Sequence, residues 1–211
     1  MPNGVTAPYP KNTSGRNPLS NSRGPLDRVV NHVILPAPGT YEIDPVHTFV
    51  TFRAQHVIVG RVRGRFESVT GTAIIAEEPS ASRVDVQIAA TSISTLMSLR
   101  DDDLRSAHYL DAERYPTIAY RSSRLAEEPN GKWLLGGDLS IRDTTRPVDL
   151  VMSFGGAVAD SYGNARITFQ ASGSITRTDF GLDHELEKGA GGKKVRGDIL
   201  IDIDAELVRP L

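Results

Sequence analysis

Residues 198–206 read Asp-Ile-Leu-Ile-Asp-Ile-Asp-Ala-Glu, with Ile199, Ile201, Ile203 and Ala205 in one register and Asp198, Asp202, Asp204 and Glu206 in the other. Successive side chains of an extended strand point to opposite faces, so a two-residue period predicts one buried and one solvated face. The same period recurs along the chain. Val46, Thr48, Val50, Phe52 and Ala54 oppose His47, Phe49, Thr51 and Arg53, and Val62, Gly64 and Phe66 oppose Arg61, Arg63 and Arg65. Val84, Val86 and Ile88 alternate with Asp85 and Gln87, and Val148, Leu150, Met152 and Phe154 with Asp149, Val151 and Ser153. Ile118 and Tyr120 open another strand. Trp133, Leu135, Leu139 and Ile141 share a face, as do Ile167, Phe169, Ala171, Gly173 and Ile175. Turns are predicted at Glu77–Ser80, Pro129-Asn-Gly131, Asp143–Pro147 and Asp160–Asn164, where Pro, Asn, Asp and Gly supply turn chemistry.

About eight strands, each buried on one face and joined by short turns, must hide their edges as well as their apolar faces. Closing the sheet on itself achieves both. The chain is therefore predicted to be all-β, an eight-stranded antiparallel barrel. A two-sheet sandwich fits less well, because the long run from Arg61 to Ala76 and the long last strand suit the curvature of a barrel, with Gly64 and Gly71 marking bends or bulges. One short helix is predicted between the third and fourth strands. There Ser98-Leu-Arg-Asp101 reads as a capping box with Ser98 as N-cap, and Tyr115-Pro116 ends the segment.

An eight-stranded barrel is either filled by its own side chains or holds one small ligand. The inward register contains Phe52, Phe66, Val86, Ile88, Tyr120, Leu139, Ile141, Met152, Phe154, Phe169, Ile175 and Ile201. Leu99 and Leu104 on the helix and Phe180 in the long connection after Ile175 are predicted to join them. His56 follows the parity of Phe52 and Ala54 and is the candidate for contacting a polar head group.

Composition narrows the function. The net charge of −2 is unsuited to neutralising phosphates, so no nucleic-acid partner is expected. With no cysteine, thiolate catalysis, disulfides and cysteine-based zinc sites are excluded. Asp101-Asp-Asp103 is followed by Arg105 rather than a further carboxylate and is read as favouring the helix N-terminus. His184-Glu-Leu-Glu-Lys188 lacks the second histidine of a zinc-protease helix, and the glycines of 189–192 do not have phosphate-loop spacing. No catalytic residue, metal site or cofactor is predicted.

The first 38 residues, rich in Pro, Asn, Ser and Gly, bury too little apolar surface to offset their ordering entropy. They are predicted to be a largely disordered polar extension, in which Val29, Val30, Val33, Ile34 and Leu35 could dock as an edge segment. The folded domain is predicted at 39–211. No stretch is long and apolar enough for a transmembrane helix, and residues 1–35 lack the basic and apolar regions of a secretory signal, so a cytoplasmic location is expected.

Five separated motifs occur in order: Tyr41-Glu-Ile-Asp-Pro-Val-His-Thr48 with Phe52 and His56; Gly64-Arg-Phe66 with Gly71; Ser94-Thr95 with Arg100-Asp101, Leu104-Arg-Ser106 and Tyr115-Pro116; Gly137-Asp-Leu-Ser-Ile141 with Thr145-Arg-Pro-Val148; and Ile175-Thr-Arg-Thr-Asp-Phe-Gly181. Together they resemble the YceI-like family of lipocalin-like, polyisoprenoid-binding bacterial proteins. The family commonly has His where this chain has Asp103, and Gly where it has Asp143. The resemblance implies a lipocalin-like barrel holding an isoprenoid or similar long-chain amphiphile, as a carrier, store or sequestering protein, often as a homodimer. An enzyme transforming a lipid-like or polyketide intermediate in the same cavity is the alternative.

Overall fold

The computed structural model describes residues 26–30, 32–56, 60–182 and 197–211, with side chains except at 55, 56, 60 and 130. A hairpin of β1 (Asp27–Val30) and β2 (Val33–Pro36) precedes the main sheet. The sheet contains β3 (Gly39–Ile43), β4 (Phe49–His56), β5 (Gly60–Phe66), β6 (Val69–Ile75), β7 (Arg83–Ala89) and β8 (Ile93–Ser94). After helix α1 (Ser98–Arg105) come β9 (Thr117–Glu128), β10 (Lys132–Ile141), β11 (Thr144–Ala159), β12 (Asn164–Thr176) and β13 (Asp198–Pro210).

Three pairs of short strands are interrupted long ones. β3 and β4 both pair with β13, β5 and β6 continue one another alongside them, and β7 and β8 line the far side of β6 and β5. Counted this way, eight antiparallel wall strands follow chain order, and β12–β13 and β13–β3/β4 pairing closes the barrel. An up-and-down meander puts alternate connections at the same end. Residues 76–82, 129–131 and 160–163 mark the lower end. Helix α1, the 142–143 turn and a 3-10 turn at Arg177–Phe180 mark the upper end.

The first interruption departs from the alternation read in the sequence. Residues 45–47 form a turn, so Val46 is exposed and the strand resumes only at Phe49. Glu206 of β13 bridges the gap. Its carbonyl accepts from the Asp44 N–H at 2.8 Å and the Thr48 hydroxyl at 3.1 Å, and its N–H donates to Thr48 Oγ1 at 3.1 Å. The Thr48 side chain thus substitutes for a missing backbone pair. In the second wall strand the break falls at Glu67-Ser68, not at a glycine. Gly64 and Gly71 are instead sites of close approach: a Cβ on Gly64 would lie 2.3 Å from the Phe52 ring, and one on Gly71, at φ +154, 2.2 Å from Asp85 O. Only glycine fits either position.

Two further expectations are corrected. Ser98 is not the helix N-cap. Met97 occupies that position without a side-chain cap, and the Asp101 carboxylate turns to the Thr95 N–H (2.8 Å) and hydroxyl. The turn after β10 is only Arg142-Asp143, tight enough that Ile141 pairs with Thr144, and Pro147 sits within β11 opposite Asp138. The polar extension, whose segment from Val29 to Leu35 could dock, carries the β1–β2 hairpin at its end. Leu26, Leu35 and Pro36 are buried, and Arg28 donates to Pro36 O, Ala76 O and Glu77 O. Three apolar residues and one arginine suffice to dock this short piece, despite its polar surroundings. Residues 1–25 lie outside the described residues.

Candidate functional site

The inward faces do not fill the barrel. They enclose a cavity of about 670 Å³, within the range of small-molecule pockets. Wall residues reach it in layers set by strand parity: Phe52, Ile201 and Ala171 from neighbouring strands, Phe154 beside Phe169 with ring centroids 5.5 Å apart, and Phe52 beside Phe66 at 5.9 Å. Leu35 and Pro36 of the hairpin form the lower limit. Met97, Leu99 and Leu104, around and on the helix, form the upper one.

Of the residues expected to face the interior, Phe52, Phe66, Val86, Ile88, Tyr120, Leu139, Ile141, Met152, Phe154, Phe169, Ile175 and Ile201 all line this cavity, as do Leu99 and Leu104. Phe180 does not. It is 2% exposed and packs into the apolar core behind the 3-10 turn, where the left-handed Gly181 redirects the chain. The His56 side chain and His184 lie outside the described residues. The sequence reading missed the cavity's floor, because nothing in a polar N-terminal segment says where Leu35 will dock. It also missed Trp133 and Leu150 as lining residues, although both follow the inward parity.

Polar groups on the lining are mostly committed to the fold. The Tyr120 hydroxyl lies 3.0 Å from Leu135 O and 3.2 Å from Val148 O and donates to this pair of carbonyls. Burial, helped by the charges of Asp149 and Asp138, raises its pKa above the ordinary tyrosine value. It therefore stays protonated, with its proton already in use. Arg100 donates to Thr95 Oγ1 at 2.7 Å and Thr95 O at 3.0 Å, fixing the loop that leads into α1. Asp103 sits at the rim, 3.8 Å from His108 Nδ1.

A second polar cluster lies on the outer wall towards the lower end. Asp44, His47 and Glu206 each present one ligand-type atom within 4.8 Å of the others, a spacing a metal ion would accept. The Arg166 guanidinium already stands there, with Nη1 2.6 Å from Asp44 Oδ2 and 2.5 Å from Glu206 Oε1, and Nε 2.9 Å from Asp160 Oδ2. Burial works to raise the Asp44 carboxyl, but hydrogen bonds from Arg166, His47 and the Val46 N–H together hold it well below the usual carboxylate range. Asp160 is held low chiefly by Asn164, with Arg166 and the Tyr162 N–H adding to it. The same carboxylates push Arg166 upward. The cluster ties β3, β12 and β13 together across the barrel closure.

The fold and cavity define a class: closed eight-stranded antiparallel barrels with an internal apolar chamber. Residues 41–207 match the YceI-like domain model, and the chain belongs to that family. It is 34% identical over 167 residues to a UPF0312 protein of Photorhabdus laumondii subsp. laumondii, spanning 78% of this chain and 84% of that one. It is 33% identical to Protein YceI of Escherichia coli O157:H7, over 78% and 85% of the two chains. Among solved structures, BcnA of Burkholderia cenocepacia superposes with a TM-score of 0.63 at 19% identity, covering 79% of this chain and 99% of that one. A polyisoprenoid binding domain from Saccharophagus degradans superposes with a TM-score of 0.59 at 14% identity, over 81% and 98%. At these identities the structural likenesses show a shared fold. Among the described residues, no helix is long and apolar enough to cross a membrane.

Proposed function

We propose that the protein binds one isoprenoid or similar long-chain amphiphilic lipid inside the barrel and serves to carry, store or sequester it. The observation that carries this is the cavity itself. An elongated apolar chamber runs from Leu35 and Pro36 at one end to Met97 and Leu99 at the other, in a barrel small enough to have been filled by its own side chains. The polyisoprenoid-binding neighbour with the same fold supports the choice of ligand class.

Transfer of hydrocarbon from water yields roughly 0.8 kcal/mol per methylene, so about 15 buried methylenes supply ~12 kcal/mol gross. Association and ordering cost several kcal/mol of that, which leaves micromolar binding within reach without a single hydrogen bond. Met152 lines the chamber, and its unbranched, polarizable side chain adapts to a flexible occupant. The commitment of the Tyr120 hydroxyl to backbone carbonyls favours holding a ligand over transforming it.

Native mass spectrometry of gently purified protein, followed by titration with geranylgeraniol, tests the proposal. A bound mass that organic extraction removes, and saturable one-to-one binding of the added isoprenoid, are expected. Ligand-free protein that also fails to bind the isoprenoid would overturn it.

A further inference from the structure

The upper rim of the chamber differs from ordinary protein surface. Leu96, Met97 and Leu99 are 91%, 50% and 77% exposed. Single exposed leucines are common on proteins, but three within four residues at a cavity entrance are not random scatter. Met97 and Leu99 also line the chamber, so the same side chains meet both its interior and the solvent. Leu96 does not line it. It stands outward with its backbone at φ +61, a left-handed conformation that a leucine adopts only at an energetic cost. Among the described residues, nothing covers it.

Beside this apolar rim lies a stripe of arginines. The alternation of β5 places Arg61, Arg63 and Arg65 on the outer face, opposite Gln55, Arg53 and Thr51 of β4. Arg53, Arg63, Arg65 and Leu96 border one shallow depression together with Ser94, Thr95 and Asp202. Two of these charges are compensated, Arg53 by Asp202 at 2.8 Å and Arg65 by Glu67 at 2.8 Å. On the helix, Asp102 faces Arg105 and Asp103 faces His108. Arg61 and Arg63 are exposed and have no hydrogen-bond or ion-pair partner among the described residues.

We propose that this rim is a docking face for an anionic lipid bilayer, with Leu96, Met97 and Leu99 entering the interface and Arg61 and Arg63 resting on the headgroups. Apolar side chains flanked by basic ones are the pairing that an anionic membrane surface selects, through hydrophobic insertion together with headgroup attraction. The orientation turns the chamber entrance towards the hydrocarbon, while the lower end, covered by the β1–β2 hairpin, faces away. The proposal deepens the lipid-binding function by naming the source of the ligand, and it rests on that function only for its purpose.

Flotation of the full chain with phosphatidylcholine vesicles containing about one-third phosphatidylglycerol tests it. Binding is expected to these vesicles, to fall when salt is raised, and to be far weaker to phosphatidylcholine alone. Arg61→Gln with Arg63→Gln is expected to weaken partitioning about fivefold per arginine. Leu96→Ser is expected to weaken it about tenfold. Circular dichroism of each variant verifies the barrel. Binding of farnesol in vesicle-free buffer is read in parallel, because Arg61, Arg63 and Leu96 lie outside the chamber and are expected to leave it unchanged. Farnesol binding without flotation overturns the docking face and leaves the cavity function standing. Flotation without farnesol binding does the reverse. Flotation insensitive to all three substitutions overturns the assignment of this face. A concentration-dependent dimer that Leu96→Ser dissolves, with no vesicle binding, assigns the rim to a second copy of the chain and also overturns the proposal.

Discussion

At the lower end of the barrel, Leu26, Leu35 and Pro36 are buried under a hairpin that Arg28 fastens to the carbonyls of Ala76 and Glu77. At the upper end, leucines and a methionine stand in solvent, one of them in a strained backbone conformation. The walls between are the same eight strands, so the contrast comes from the connections. The lower end is closed by apolar burial and, on the wall beside it, by the Asp44–Arg166–Glu206 cluster. The upper end leaves apolar surface unburied. The chamber is covered by the hairpin at one end and bordered by exposed apolar groups at the other.

That asymmetry can be broken from below. Removing residues 1–36 uncovers the floor and forfeits the burial of Leu26 and Leu35, an expected loss of about 3–6 kcal/mol in urea unfolding. Removing only residues 1–25 is expected to leave stability near that of the full chain. Equal losses from the two truncations would show that the hairpin does not seal the barrel. The lower wall is also sensitive to backbone spacing. Gly71→Ala sets a Cβ against Asp85 O at a positive φ and is expected to lower stability by about 1–3 kcal/mol in the same assay.

Filling the chamber between the two ends separates binding from stability. Ala171→Phe projects a ring into the cavity and is expected to weaken isoprenoid affinity about tenfold, roughly 1.4 kcal/mol, with little change in Tm. An unchanged affinity in calorimetric titration would mean that the ligand does not use the middle of the barrel.

Acid should act on the lower end first. Asp44 and Asp160 are held below their ordinary values in the folded chain, so the unfolded chain binds more protons as pH falls. Their stabilisation is complete above about pH 5 and is lost as pH drops through the ordinary carboxylate range towards the folded values. Asp44→Asn is expected to lower Tm at pH 7 and to flatten its fall in acid. A pH profile parallel to that of the unmodified protein would remove the cluster from the account.

The smallest expected effect has the opposite sign and belongs to the rim. Leu96→Gly relieves the left-handed backbone and gives up almost no burial, for an expected gain of about 0.5 kcal/mol. A loss instead would mean that the Leu96 side chain contributes to the fold.

Much of the chamber was legible from the sequence because barrel geometry converts alternation directly into inside and outside. Phe52 stands between Thr51 and Arg53, and Phe66 between Arg65 and Glu67, and both line the cavity, as do Tyr120, Phe154 and Ile201 on the inward register of their strands. The helix was legible in position but not in its capping. Asp101 satisfies a helix-start pattern in sequence, yet Thr95, six residues earlier, offers it a buried N–H and hydroxyl. Phe180, expected at the cavity from the connection after Ile175, lies beyond the end of β12 at Thr176, where no strand parity says which way a side chain turns, and it packs into the core.

Local periodicity and motif thus carried most of the strands, their inward faces and the family resemblance. The hollow barrel, the placing of Leu35 at its floor, the joining by Arg166 of three carboxylates far apart in the chain, and the exposure of Leu96, Met97 and Leu99 at the upper end emerge only in the folded chain. Those outcomes depend on contacts between distant segments and on volume left unfilled, which no local pattern of residues encodes.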